Sequence, residues 1–436
     1  MNPDTKPFDD VDFNTWRARV EQGSQTLDGL AHAGLEGIEL AALYDRGPAQ
    51  PVVVPPRTAG TWTCLQSLPG DRARAIACAQ RLPDAKVAGV WLAGADVGAI
   101  VAAIPAQLQV FVDGVEPAPD SSIRRHGDGR GRVVAWAVDP CAPWGPAASI
   151  DAALRIEAAI ARAARRPVRT WLCDGTPWHD AGATAVDEIA IVLLGVLGAL
   201  RSLGDRGVSA PDAASSLLMR VGLGGELLVD VAKLRALRGL WHACAGPLGL
   251  ATGSIPLHAR TCRRLRSRSD ADTNLVRASY ELFAGAAAGV DALIVEPHDH
   301  RETSSDGMHR WARNLTHLMR DESHLDAVED PFAGSWAVES ITRALADAAW
   351  ARVQEIEHAG GLSVVIAEGG LQGEVVGAAR RRRQAVASGT HPIVGVSKFP
   401  PPGRASPPEP TVIDSPEFGP LDLCAPYEPL HAGGAS

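Results

Sequence analysis

The chain has 436 residues, a net charge of −9 and a hydrophobic fraction of 46%, a balance typical of a globular protein with one large domain. The acidic balance argues against a nucleic-acid partner. The seven cysteines form no Cys-x-x-Cys pair, which indicates free thiols in a reducing cytoplasm. The first residues lack an apolar signal core, and the longest apolar stretch, residues 189–200, is too short to span a membrane.

The N-terminal region is predicted to be a helical arm over residues 1–35. Phe13, Trp16, Val20 and Leu27 lie at spacings that place them on one helical stripe. We assign the arm and its lead-in to residues 1–59, and the main body to residues 60–400.

From about residue 60, short apolar runs alternate with amphipathic stretches. The eight runs, predicted as strands, are residues 61–68, 87–93, 108–113, 133–139, 168–174, 217–222, 254–260 and 292–297. The clearest helical patterns are residues 71–81, 150–165, 182–203, 225–245, 272–288 and 308–321. This alternation implies right-handed crossovers and a parallel sheet. Eight strands indicate a closed (β/α)8 TIM barrel, with an open doubly wound sheet as the alternative.

The C-terminal region continues the helical pattern and then loses it. Residues 340–360 are predicted as a helix, and residues 364–386 as a strand-like start followed by a basic helix. We interpret the arginine run at residues 380–383 as a solvated helix end. Residues 401–436 are rich in proline and glycine and are predicted to form an extended tail, ordered only where it docks.

Candidate site residues follow from barrel geometry, because active sites of barrels lie where the strands end. The fifth run is followed by Trp178, His179 and Asp180, where His179 is a candidate acid–base or substrate-binding group. Alternatively, Asp180 caps a helix and His179 bonds to a neighbouring loop. The seventh run places His258 and Arg260 on one face. Arg260 either grips a carboxylate or phosphate, or holds a buried aspartate of the barrel wall.

Two weaker patterns have structural interpretations. Residues 296–300 (EPHDH) look like a metal cluster, but no second cluster supports one, so we expect a solvated loop and no metal. Residues 222–225 (GLGG) precede a helix, and we interpret them as a tight strand-to-helix turn rather than a phosphate cradle.

Four segments, taken together in their order along the chain, resemble the methylmalonyl-CoA mutase family of acyl-CoA mutases. They are residues 178–184 (WHDAGAT), 231–241 (VAKLRALRGLW), 272–292 and 330–342 (DPFAGSWAVESIT). In the last segment Gly334 permits an unusual backbone angle and Ser335 can cap the following helix. The resemblance spans roughly residues 35–400 and implies a barrel. It also implies isomerase chemistry, the radical carbon-skeleton rearrangement of acyl-CoA thioesters with adenosylcobalamin.

This chain departs from the catalytic chains of that family at several positions. Those chains carry a tyrosine and a histidine where Thr176 and Pro177 stand, and a glutamine and a histidine where Asp291 and Ile294 stand. Residues 178–180 instead resemble the small-subunit pattern Tyr-His-Asn. The chain contains no Asp-x-His-x-x-Gly motif, and its tail is too short for a cobalamin-binding domain. The resemblance therefore implies adenosylcobalamin in a holo-complex, not ligated by this chain.

The sequence thus predicts a non-catalytic small-subunit-like barrel in a heterodimer. Its partner would be a catalytic acyl-CoA mutase chain, a cobalamin-binding protein or both, with acyl-CoA as a candidate ligand. The alternatives are the substrate-binding half of a split mutase and a repurposed barrel scaffold. We also expect that if one or more of Trp91, Trp136 and Trp171 points inward, the barrel axis is filled and CoA is excluded.

Overall fold

The computed structural model describes residues 12–22, 32–45, 51–55, 57, 60–69, 71–93, 97–113, 132–139, 169–251, 253–299, 304–401 and 418–427. Helix α1 (Phe13–Glu21) begins after Asp12, whose carboxylate accepts from the Thr15 N–H at 2.7 Å. Strands β1 (His32–Ala33) and β2 (Glu39–Leu40) form an antiparallel hairpin. The predicted helical arm over residues 1–35 is therefore wrong at residues 32–33. The reason is the turn between the strands, where Gly37 adopts a φ of 89°.

The main body is a closed barrel of eight parallel strands, which confirms the predicted TIM barrel. Every strand overlaps one of the eight predicted apolar runs, and β10 pairs with β3 to close the ring. The strands are β3 (Thr63–Ser67), β4 (Gly89–Ala93), β5 (Gln109–Asp113), β6 (Arg132–Val138), β7 (Arg169–Asp174), β8 (Leu217–Gly222), β9 (Leu257–Arg260) and β10 (Ala292–Val295).

Helices surround the barrel and continue beyond it. They are α2 (Arg72–Arg81), α3 (Val97–Val101), α4 (Thr176–Ala181), α5 (Ala185–Gly204), α6 (Ala210–Ser216), α7 (Leu227–Ala245), α8 (Ala271–Ala287), α9 (Asp306–His317), α10 (Trp336–His358), α11 (Leu362–Ala367) and α12 (Gly370–Ala387). A π-helical turn, Leu318–Glu322, extends α9. The predicted helix at residues 150–165 lies outside the described residues.

Three local predictions differ from the structure. The helix predicted at 182–203 begins only at Ala185, because Gly182 has a φ of 111° and ends the separate short helix α4, while Thr184 caps α5. The strand-like start predicted at Val364 is wrong, since that residue lies in α11. Ser335 precedes α10 but its side chain makes no capping bond; Glu339 instead accepts from the Gly334 N–H at 3.0 Å.

The core follows the alternation of the strands. Outward-facing side chains of β7 to β10 pack with α5, α7 and α10 in one large apolar cluster, and Trp171 belongs to it. Those of β4 and β5 form a separate cluster with α2 and α3. Inward-facing side chains form a smaller cluster that contains Leu65, Trp91, Phe111, Leu172, Leu218 and Ile294. Of the three tryptophans singled out, Trp91 thus faces the barrel interior and Trp171 the helices, while the side chain of Trp136 lies outside what the structure describes.

Residues 418–427 dock on the barrel beside α4. The Leu421 N–H donates to the Asp180 carbonyl at 2.7 Å, and the ring of Phe418 lies 5.3 Å from that of Trp178. The domain limits at residues 59/60 and 400/401 stay predictions. Across the described residues, every helix falls short of the length and apolar character needed to cross a membrane.

Candidate functional site

Arg220 occupies the barrel interior near the carboxyl ends of the strands. Its Nη1 atom lies 3.0 Å from Oδ1 of Asp113, and its Nη2 atom lies 2.7 Å from Oδ2 of the same carboxylate and also bonds to Asp174. The guanidinium carbon lies 5.4 Å from the ring centroid of Trp91. Burial opposes ionisation of Asp174, but the charge of Arg220 prevails and lowers the pKa of that carboxyl. The Arg220 guanidinium is therefore neutralised by carboxylates of the chain itself.

Arg260 forms a second set of ion pairs at the end of β9. One Nη atom bonds to the Asp180 carboxylate, and the other lies 3.2 Å from Oε2 of Glu296. Arg263 also donates to Glu296, from Nε at 2.8 Å. Arg260 thus holds a buried aspartate, which is the structural alternative that the sequence left open. Because Asp180 pairs with Arg260 and Thr184 is the helix cap, the interpretation of Asp180 as a helix cap is wrong.

His258 faces the barrel interior two residues before Arg260. Its ring meets Phe111 edge-to-face, with centroids 5.1 Å apart. Burial lowers the pKa of His258 to about 3, so the imidazole is neutral at physiological pH. His258 and Arg260 therefore share the inner face, as predicted, in an apolar and a charged environment respectively.

The His179 ring packs directly against Gly222 at the end of β8. A Cβ atom on Gly222 would lie 2.5 Å from Cδ2 of His179, and the imidazole is 1% exposed. Its Nδ1 atom lies 3.3 Å from Oε2 of Glu188. Burial, helped by the charges of Arg264 and Lys233, lowers the pKa of His179 well below its ordinary value. The imidazole is therefore packed inside the protein, among charged side chains.

The glycine-rich turn at residues 222–225 leads directly into buried charges. Lys233 bonds to Glu188 at 2.8 Å, and Glu188 accepts from the Gly222 N–H at 2.6 Å. Asp230 accepts from the Gly224 and Gly225 N–H groups at 2.7 and 2.8 Å. The backbone N–H groups of this turn are therefore satisfied within the chain, three by these carboxylates and that of Leu223 by the Arg260 carbonyl at 2.9 Å. The interpretation as a structural turn is confirmed.

Trp178 is fully buried and packs on Phe418 rather than lining an open site. His298, in contrast to the predicted solvated loop, is 1% exposed and stacks on Trp311 with ring centroids 5.8 Å apart. Burial lowers the pKa of His298. Within the part of the chain that the structure describes, no group of His, Cys, Asp and Glu side chains is placed to hold a metal; His300 lies outside that part.

A buried cluster at Glu36 was not predicted from the sequence. Its carboxylate accepts from Arg264 at 3.0 Å, from Arg382 at 2.8 Å and from the Ala185 N–H at 2.9 Å. Arg382 is 3% exposed, so the interpretation of its arginine run as solvated is wrong for this residue. The available signal was its place in the buried stripe of α12, between Ala378 and Val386.

A sequence model of the family described as methylmalonyl-CoA mutase matches residues 145–419, more than half of the chain. The chain belongs to the methylmalonyl-CoA mutase family. It is 37% identical over 236 residues to the methylmalonyl-CoA mutase small subunit of Streptomyces virginiae, which covers 53% of this chain and 38% of that relative. It is 34% identical over 256 residues to the probable small subunit of Mycobacterium tuberculosis, with 56% and 41% covered.

These matches span less than half of each relative's length. Among solved structures, a Yersinia pestis dihydropteroate synthase matches with a TM-score of 0.33 and 15% identity, covering 62% of this chain and 99% of that one. A likeness of that size carries no argument about function.

Membership of the methylmalonyl-CoA mutase family raises the question of cobalamin. A cobalt-ligating histidine needs an accessible imidazole nitrogen beyond the strand ends. His179 is sealed against Gly222, His258 lies inside the barrel against Phe111, and His298 is buried beside Trp311. The histidines described at this end of the barrel therefore do not fit the role of cobalt ligand.

Proposed function

We propose that this chain is a non-catalytic, small-subunit-like member of the methylmalonyl-CoA mutase family that stabilises a catalytic acyl-CoA mutase chain in a cytoplasmic heterodimer. Adenosylcobalamin would belong to the holo-complex and be ligated by another chain. One observation carries the proposal: the charged side chains at the strand ends are paired with one another. Arg220 is used by Asp113 and Asp174, and Arg260 by Asp180 and Glu296.

The steric argument concerns the barrel axis, along which we expect a catalytic mutase to thread the long CoA tail. Here Trp91, Phe111 and Leu172 belong to one buried cluster on the inner strand faces. The Arg220 guanidinium lies over the Trp91 ring and connects it to the charged layer above. Admitting CoA would require both the apolar cluster and these ion pairs to open, and a buried ion pair that loses one partner is strongly destabilising.

The chemical argument concerns proton transfer and carbonyl recognition. A general acid or base must reach the substrate within hydrogen-bond distance. The His179 ring is buried in packing against Gly222 and Gly224, and Thr176 bonds to Asp174 through its hydroxyl at 2.8 Å. The groups nearest the family's catalytic positions therefore support local structure.

The test is an assay of the purified chain, alone and with the catalytic mutase chain of the same organism. We expect no conversion of methylmalonyl-CoA by this chain with adenosylcobalamin, co-purification of the two chains, and an active complex. Conversion by this chain together with a separate cobalamin-binding protein, lost in His179→Ala, would instead establish a split mutase. Absence of any complex with a mutase chain would favour a repurposed scaffold and overturn the proposal.

A further inference from the structure

Residues 318–336 expose three large apolar side chains. Leu318 is 40% exposed, Val328 57% and Trp336 54%. Single exposed apolar residues are common, but three in one stretch, one of them a tryptophan, are not. Tryptophan is enriched among the residues that contribute most of the binding energy at protein interfaces. We call this stretch the 318–336 surface.

The 318–336 surface is held in one conformation by buried anchors. Arg235, which is 1% exposed, bonds to Asp330 and to Glu339, the latter at 2.6 Å. This clamp brackets Trp336. The Ser323 N–H donates to the Leu318 carbonyl at 2.9 Å, and the Leu325 N–H to the Met319 carbonyl at 3.0 Å. The surface is therefore preorganised, which lowers the entropic cost of binding.

Backbone strain in the same stretch also indicates that its conformation is fixed by surrounding contacts. His324 has a φ of 51° and Asp330 a φ of 43°, in the left-handed region that residues other than glycine rarely adopt. Such strain persists only where surrounding contacts impose it, and it concentrates at functional segments. At Asp330 the contact with Arg235 imposes it beside exposed apolar side chains.

The rim of the surface is acidic. Its carboxylates are Asp321, Glu322, Asp326, Glu329 and Asp330. Arg320 pairs with Asp321, Arg57 with Glu329 and Arg235 with Asp330. Arg320 also interacts electrostatically with Asp326, so its single positive charge faces two of these carboxylates. Two copies joined through this surface would bring like charges together, whereas a partner with a basic rim would be attracted.

We infer that the 318–336 surface docks a different protein chain, one that offers an apolar pocket for Trp336 and Val328 within a rim of lysine and arginine side chains. Because the inference rests on the proposed function, the partner is the catalytic mutase chain. Trp336 is the central contact. The carboxylates of Glu322 and Asp326 steer the encounter.

The experiment measures the affinity of the full-length chain for the catalytic mutase chain of the same organism by calorimetry at two salt concentrations. Trp336→Ala should weaken binding by about tenfold or more. The matched control is Trp350→Ala, which removes a tryptophan 40% exposed on the same helix α10 and should leave the affinity within about twofold. The double variant Glu322→Lys/Asp326→Lys should weaken binding at low salt and remove most of its salt dependence.

The possible outcomes test the surface assignment and the proposed function separately. Unchanged affinity in Trp336→Ala and in the double variant, with the wild-type complex intact, would overturn the surface assignment and leave the proposed function standing. Equal loss in Trp336→Ala and Trp350→Ala would also overturn the assignment. A wild-type chain that does not bind the mutase chain would reject the proposed function and this inference together. Self-association of the wild type that is lost in Trp336→Ala, measured by sedimentation, would replace the mutase chain by a second copy.

Discussion

Arg220 on β8 and Asp113 on β5 are joined across the inside of the barrel, with Nη2 of the arginine 2.7 Å from Oδ2 of the aspartate. Strands β6 and β7 separate the two strands in the ring, so this ion pair spans the interior rather than linking neighbours. Asp174 on β7 bonds to the same guanidinium. Three strands are therefore tied together at the end of the barrel where a ligand would enter.

Replacing Arg220 should destabilise the fold strongly. Arg220→Met leaves Asp113 and Asp174 without their cation, and we expect the free energy of unfolding to fall by about 3–5 kcal/mol, because an unpaired buried carboxylate is costly. The matched control is Arg201→Met, which breaks an exposed pair with Glu357 and should cost less than about 1 kcal/mol. Equal losses for the two variants in urea unfolding would contradict the assigned role.

Glu36 should be essential for holding the N-terminal hairpin on the barrel. Glu36→Gln keeps the shape but removes the charge shared by Arg264 and Arg382, and we expect a loss of roughly 2–4 kcal/mol. Glu39→Gln, on the exposed part of the same hairpin, is the control and should change stability by less than about 0.5 kcal/mol. The measurement is urea unfolding; a neutral effect of Glu36→Gln would rule out this anchoring role.

The sequence was sufficient for the barrel but not for the orientation of its polar residues. The strand runs were recognisable because strands covered on both faces are continuously apolar. Residues 217–222, for example, are buried throughout β8. The N-terminal hairpin escaped prediction because its strands have only two residues each and are set by a glycine turn instead of a hydrophobic period.

The partners of the polar residues in the candidate site could not be predicted from the sequence. Alternation along β9 correctly placed His258 and Arg260 on one face, yet only the structure gives Arg260 its partner Asp180. The sequence made His179 a plausible catalytic residue, but in the structure its ring fills the space beside Gly222. Such long-range packing between separate strands and helices leaves no local pattern in one sequence.

The space beside Gly222 predicts a severe effect of a single methyl group. In Gly222→Ala the new Cβ would lie 2.5 Å from Cδ2 of His179, and that ring is held by Glu188 and Gly224. We expect a loss of about 1–3 kcal/mol from overpacking. Gly198→Ala is the control, since it has no neighbour within 4 Å and lies inside α5, where alanine should add up to about 1 kcal/mol.

The same clash makes a double variant informative. His179→Ala/Gly222→Ala should be less destabilised than the sum of the single variants, because removing the imidazole creates room for the methyl group. The coupling is read from urea unfolding of the four proteins in the cycle. Additive losses would show that the cost of the methyl group does not come from its contact with the His179 ring.

Glu226 should make stability depend on pH near neutrality. Burial and the negative charge of Glu36 raise the pKa of Glu226 from 4.5 to about 7. The folded protein therefore holds this proton more tightly than the unfolded chain, so the contribution to stability is complete below about pH 4.5 and is lost as the pH rises through about 7. Glu226→Gln should match the wild type at pH 4.5 and exceed its stability at pH 8 by roughly 1–3 kcal/mol. Thermal unfolding between these pH values measures the difference, with the exposed Glu368→Gln as control; wild-type and Glu226→Gln curves that stay parallel from pH 4.5 to 8 would show that Glu226 does not titrate near neutrality.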